Sequence, residues 1–155
     1  DTVKFTSKEP YRIIVSGRIK HFLSAFGEHV ISEEVEKAMK TATTNHGVTI
    51  REFTVAPNIN PGKGLPRHEW YVEFETIPDD ISSFSATLEK EMISQNIYYK
   101  DLILGNIIQQ LDVVHVKKGG FNNYMKSVGR LGGQNKVPRL SNDRIIADKL
   151  NNFNS

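Results

Sequence analysis

The stretch with the most chemical potential is GGQNKVPRL, residues 132 to 140, in which Lys136 stands between a glycine pair and a Pro138-Arg139 pair. Glycine and proline alone supply the left-handed positions and the locked φ that reverse a chain. The two cations therefore need a second reason, and a point charge on a long flexible stem suits reaching an anionic group in a cleft. KKGG at 117 to 120 is a weaker candidate for a phosphate cradle, because glycines after a strand usually just turn the chain into a helix. Glu73 and Glu75 fall on one strand face and invite thoughts of acid-base chemistry, yet exposed acids opposite a buried face are the ordinary strand pattern. The five histidines, at 21, 29, 46, 68 and 115, show no i, i+4 pair and no acidic partner at ligand spacing, so no metal site is expected and most read as surface or satisfied core residues. The chain has no cysteine, which excludes disulfides, thiol nucleophiles and thiolate zinc sites.

Bulk properties narrow the partners. With 155 residues, 38% hydrophobic and 25% charged, the chain suits a single globular domain with an adequate core. A formal charge of +2, from 20 basic and 18 acidic residues, implies no nucleic acid, although a local basic surface can still hold a phosphate. No segment has the apolar length of a membrane span and no signal-peptide pattern opens the chain, so the default expectation is a cytoplasmic protein with no membrane partner. No long exposed apolar stripe demands a dimer, which leaves a monomer as the expectation. The chain opens at Asp1 and is strand-like almost at once, as part of a larger protein would be.

The elements that would position these residues are legible from periodicity. RIIVSG (12 to 17) reads as a buried strand, and HFLSAFG as a brief extended stretch. Ser32 before Glu33 and Glu34 looks like a helix cap with acids in the first turn, for a helix ending near Asn45 and stopped by Gly47. Val48 to Ala56 alternates as a strand, PNINPGKGLP is a loop, and HEWYVEFETI alternates as a half-buried antiparallel strand with Trp70, Val72 and Phe74 inward and Glu69, Tyr71, Glu73 and Glu75 outward. Ile81, Phe84, Leu88, Met92 and Ile93 fall at helical spacing, whereas NIYYKDLILGNII fits either helix or extended chain. LDVVHVKKG is a strand, FNNYMKSVGRLG a short helix stopped by glycine, and Ser141 would cap a final helix, SNDRIIADKLNNF. The core order β-α-β-β-α-β is that of an α+β, ferredoxin-like split βαβ fold with a mixed or antiparallel sheet and extra C-terminal helices. That superfold hosts regulatory, RNA-binding and catalytic modules alike, so sites must decide. For RNA, Trp70, Tyr71 and Phe74 are interleaved with glutamates, and the basic strand signature is absent.

Two stretches carry a resemblance. SGRIKHFLSAFGEHVISEEVEKAM resembles the hinge-crossing motif of the adenylate-forming superfamily: Gly17-Arg18, a polar hinge residue, a glycine turn, then a helix opening with acids. GGQNKVPRL, with the preceding GGFNNYM, resembles the C-terminal end of the auxin-responsive acyl acid amido synthetases, the Gretchen Hagen family, in which Gln-x-Lys-x-Pro-Arg follows a helix. HEWYVEFE, NIYYKDLILG and the opening DTVKF are similar as well, so the likeness spans nearly the whole chain.

The resemblance implies the small mobile cap, residues 1 to 155, of a two-domain enzyme whose absent large domain binds ATP, Mg2+, a small carboxylic acid and an amino acid. Lys136 would be the catalytic cation. Asp1 would hold the ribose, and Arg18, Glu28, His29, Gln134 and Arg139 would lie on the nucleotide side, with Arg139 bracing the loop or pairing with a carboxylate. Lys20 matches the hinge position, and Phe26-Gly27-Glu28-His29 would be the turn brought toward the nucleotide or the amine. Near Glu28-His29 the plant members carry an Asp-Lys pair, and His29 departs from it. The partner would be the N-terminal adenylation domain of the same chain, and the cap alone would be inactive. Nothing in these residues separates an amine acceptor from the thiol of an acyl-CoA ligase. An independent ferredoxin-like module that binds a small ligand or a partner chain through its sheet is the alternative of a different class.

Overall fold

The computed structural model describes residues 2–8, 11–17, 22–130, 132 and 136–153. Strands β1 (Thr2–Lys8) and β2 (Tyr11–Gly17) pair antiparallel as a hairpin, and two-residue strands β3 (Phe22–Leu23) and β4 (Val30–Ile31) form a second antiparallel pair. Helix α1 (Ser32–His46) leads to β5 (Ile50–Asn58) and β6 (Arg67–Phe74); α2 (Ile81–Gln95) and α3 (Ile97–Leu104) lead to β7 (Asp112–His115); α4 (Gly120–Ser127) and α5 (Ile145–Leu150) follow. The expected α+β class with a mixed sheet stands. Its order is β5-β6-β7, with β5 antiparallel and β7 parallel to the central β6. The strand expected at 12 to 17 forms, but it pairs with Thr2–Lys8, so among the described residues the central sheet has three strands.

Helix boundaries follow local chemistry. The α1 start is stabilised by the Glu34 carboxylate, which accepts the Ile31 N–H at 3.0 Å, so the cap sits one residue earlier than Ser32. Gly47 ends α1 at φ +61, a left-handed position where glycine carries no Cβ penalty. Asp80 caps α2 by accepting the Ser82 and Ser83 N–H groups at 2.9 and 3.3 Å. The ambiguous stretch at 96 to 108 is helical over α3, because Asn96 Oδ1 accepts the Tyr99 N–H at 2.9 Å and starts a new helix straight after α2. The final helix begins at Ile145 rather than beside Ser141.

Residue parity on the strands builds two cores. Phe53, Val55, Trp70, Val72 and Phe74 pack beneath α1, α2 and α3, with Trp70 stacked on Phe53 at 5.8 Å between ring centroids. Tyr71 and Ala56, on the opposite face, pack with Phe121, Tyr124, Met125 and Leu150 of α4 and α5. The C-terminal helices therefore bury the face of β6 that alternation assigned to solvent. Glu69 and Glu73 are buried and only Glu75 stays exposed, which corrects the half-buried reading. Arg144 clamps this second layer: its guanidinium pairs with Glu69 at 2.8 Å, donates to Tyr71 Oη at 3.0 Å and to the Pro57 carbonyl at 3.1 Å.

The first core also contains a buried carboxyl group, Glu89. Glu89 Oε2 accepts the Tyr99 hydroxyl at 3.0 Å and the Leu111 N–H at 2.9 Å, while its Oε1 is buried without a partner among the described residues. Burial raises the Glu89 carboxyl above its usual range, and the two hydrogen bonds only partly oppose this. A raised carboxyl makes the folded state bind its proton more tightly than the unfolded chain does. That contribution to stability is present below the unfolded value near 4.5 and is lost as pH rises through the folded value. In urea titrations from pH 4 to 7, Glu89→Gln is expected to gain stability relative to wild type as pH rises; parallel profiles would refute this.

Candidate functional site

The lysine loop grows out of the end of α4. The Arg130 N–H returns to the Met125 carbonyl at 2.8 Å, and Gly129 and Gly132 take left-handed φ of +69 and +82, turning the chain away from the helix. The chain then fastens to the free edge of β5. Thr54 Oγ1 donates to the Pro138 carbonyl at 2.6 Å, the Val55 N–H to the Arg139 carbonyl at 2.8 Å, and the Ser141 N–H to the Val55 carbonyl at 3.0 Å. Leu140 forms a parallel bridge with Val55, so the segment after Lys136 continues the sheet as a short edge.

Arg139 braces this attachment. Its Nε meets Glu36 of α1 at 3.1 Å, and its Nη1 meets Glu52 and donates to the Phe53 carbonyl at 2.9 Å. The guanidinium carbon lies 4.4 Å from the Phe53 ring centroid. A planar fork can satisfy two carboxylates, a carbonyl and a ring face at once; an ammonium cannot. Arg139 is thus committed to the domain's own residues.

Lys136 has the opposite character. It is exposed, and among the described residues its ammonium makes no hydrogen bond or ion pair. It borders a cleft of about 360 Å³ whose walls carry Arg51, Arg130, Glu73 and Glu75 over Phe121 and Met125. A second depression, of about 580 Å³, lies between Lys136 and Arg139 and reaches Ser32 and Glu36 at the start of α1. A cation on a loop fastened two and three residues further on, at Pro138 and Arg139, can engage an incoming anion without first breaking an ion pair to the described residues.

The glycine turn lies at the β3–β4 hairpin. The Ser24 N–H donates to Asn142 Oδ1 at 2.8 Å, so the fold ties the hinge-like stretch to the segment just after the lysine loop, 118 residues on. Gly27 and His29 have φ of +87 and +49, and His29 is exposed. A left-handed non-glycine residue costs roughly 1–2 kcal/mol. Glu28 does not face outward: it is 0% exposed, its Oε2 lies 3.2 Å from His68 Nε2 and its Oε1 accepts the Phe26 N–H at 3.2 Å. Glu28 therefore anchors the turn from inside in this conformation. Asp1, Arg18, Lys20 and Gln134 lie outside the described residues. Among the described residues, no group of three or more His, Cys, Asp or Glu is placed to hold a metal ion.

Several structural residues escaped sequence reasoning. Glu73 caps α4 by accepting the Gly119 and Phe121 N–H groups at 3.1 Å each, and strand alternation gives no hint of it. The Glu28–His68 contact joins two residues 40 apart, and neither carries a pairing signal. Asn96 had a usable signal, as a capping residue type ahead of an apolar run.

Comparison with known proteins adds an independent line. The family model described as the GH3 family C-terminal domain matches residues 33–145. Among solved structures, a GH3.15 acyl acid amido synthetase superposes with a TM-score of 0.71 at 19% identity, covering 94% of this chain and 28% of that one. A structure titled AtGH3.15 acyl acid amido synthetase in complex with 2,4-DB gives 0.69 at 18% identity, covering 94% and 27%. At such identities the likeness shows the shared fold, and the chain spans little more than a quarter of those structures. No curated protein matches it.

Proposed function

Because the chain belongs to the GH3 family and residues 33–145 form that family's C-terminal domain, we propose that it is the mobile cap of an ATP-dependent acyl acid amido synthetase. In this reading a large N-terminal domain of the same protein holds ATP, magnesium, a small carboxylic acid and an amino acid, and the cap supplies Lys136. The observation that carries the reading is an exposed lysine, without an ion-pair partner among the described residues, on a loop pinned to β5 through Thr54, Val55 and Arg139.

The first half-reaction asks for such a cation. A carboxylate oxygen of the acid would attack the α-phosphorus, forming a P–O bond as the bond to the departing pyrophosphate breaks. Negative charge then builds on the phosphoryl oxygens and the leaving group. An ammonium preset beside them stabilises that change with little reorganisation. In the second half-reaction the amino acid nitrogen would attack the acyl carbonyl, lose a proton and expel AMP, giving the amide. The cap would rotate between the two steps about Lys20, bringing the Phe26–His29 turn toward the nucleotide or the amine in place of Lys136. Glu28 and Arg139 would then support the turn and the loop, while His29 and Lys136 face the partner domain.

The reading is tested by ATP–pyrophosphate exchange on the full-length protein against a panel of aryl and indolic acids. Exchange that depends on the acid is expected, followed by amide formation on adding amino acids. Absence of exchange together with absence of ATP binding would return the chain to an independent ligand- or partner-binding module. Among the described residues no helix is long and apolar enough to cross a membrane, and a cytoplasmic monomer would suit soluble ATP and amino acid substrates.

A further inference from the structure

Strands β3 and β4 are two residues each, too short to hold a hairpin turn in one shape by themselves. The turn between them contains two left-handed residues, one of them the histidine at position 29. A surface turn of this kind ordinarily leaves its backbone to water. Here buried side chains take that role. Asn96 Nδ2 donates to the Glu28 carbonyl at 3.0 Å, to Glu34 Oε1 at 3.2 Å and, at 3.5 Å, toward the His29 carbonyl. Glu28 turns inward to His68, and the His68 ring packs against both Phe26 and Tyr99, with centroids 6.3 and 5.2 Å away. Asn96 sits where α2 meets α3: its N–H returns to the Met92 carbonyl and its Oδ1 caps α3 through Tyr99. The turn is thereby hung on the α2–α3 corner, which itself packs in the main core through Met92 and Tyr99.

We propose that Asn96 and the buried Glu28–His68 contact form a latch that holds the Phe26–His29 turn in a preformed shape, presenting His29 to the partner domain for the amide-forming step. Asn96, Glu28 and His68 are positioning residues, since none of them faces solvent. The catalytic half of this inference rests on the amido synthetase reading; the latch does not.

The test uses the full-length protein and separates capping from latching. Serine is a good helix cap, so Asn96→Ser keeps an acceptor for the Tyr99 N–H but withdraws the amide that reaches Glu28 and His29. Hydrogen exchange measured by mass spectrometry is expected to quicken by on the order of tenfold in the segment 22–31, with α3 still protected. Amide formation from a synthetic acyl adenylate should fall by on the order of ten- to a hundredfold while pyrophosphate exchange stays near wild type. His68→Phe, which keeps the ring packing but strands the Glu28 carboxylate, should reproduce both effects. Unchanged protection of the turn in both variants overturns the latch, as does equal loss of protection across the domain with both half-reactions falling together. A loosened turn with undiminished amide formation overturns its catalytic half. A wild-type protein that exchanges with no acid removes the amido synthetase reading, and the hydrogen-exchange comparison still decides the latch.

Discussion

Replacing Lys136 with alanine in the full-length protein is expected to lower acid-dependent ATP–pyrophosphate exchange by about a hundred- to a thousandfold, the usual effect of deleting one preorganised charge-stabilising group. Folding should be spared. The side chain is exposed, it has no partner among the described residues, and the loop is fastened through backbone groups of Pro138, Arg139 and Ser141 rather than through the ammonium. Lys136→Arg preserves the charge but spreads it over a broader planar group, so partial activity is expected. Pyrophosphate release at the wild-type rate by Lys136→Ala would remove this residue from the chemistry. Amide formation from a preformed acyl adenylate should respond much less, because the phosphoryl step is then bypassed.

The largest effect on stability is expected at Glu73. Its carboxylate is 2% exposed and accepts two N–H groups at the start of α4, with Arg51 at 3.9 Å on the solvent side. Alanine there leaves the Gly119 and Phe121 N–H groups without their acceptor, and the latter bond is buried. It also removes an anion from a helix N-terminus, where the peptide dipoles favour one. Hydrogen bonds to a charged group are worth about 1.5–3 kcal/mol each, and the losses overlap, so a total of roughly 2–4 kcal/mol is expected. Glu73→Gln retains an acceptor and should cost about half as much. Urea unfolding of the two variants beside wild type measures both, and an unshifted midpoint for Glu73→Ala would refute the capping role. Because α4 forms the base from which the lysine loop departs, loosening it should also raise hydrogen exchange in the residues around Gly129 and Arg130.

These two residues illustrate unequal legibility. Lys136 stood out because glycines and a proline explain a turn by themselves, leaving an unexplained cation; its surroundings within the chain, Arg51 and Glu52 of β5, come from a strand about 80 residues earlier. Glu73 was read as an ordinary solvent-facing acid, since alternation along β6 cannot reveal that α4 and α5 cover that face. Glu28 was grouped with nucleotide-facing residues, and only the packing of the turn against β6 and α3 shows its carboxylate directed at His68. Arg139 was open between bracing the loop and pairing with a carboxylate, and the fold has it brace the loop by pairing with Glu36 and Glu52.

Taken alone, the residue pattern determined what depends on neighbours in the chain. Helix periodicity, the acidic start of α1, the glycine stops and the strand periods of β5 and β6 are local, and local sterics and capping set them without reference to the rest of the molecule. Tertiary structure decided what depends on distant partners: the pairing of β2 with β1, the second helical layer, the attachment of the lysine loop to β5 and the hanging of the glycine turn on the α2–α3 corner. The physical reason is that a hydrogen bond or buried contact between residues 40 to 118 apart, such as Glu28–His68 or Ser24–Asn142, leaves no period in the sequence. It exists only because packing two hydrophobic faces of one sheet brings those residues within bonding distance.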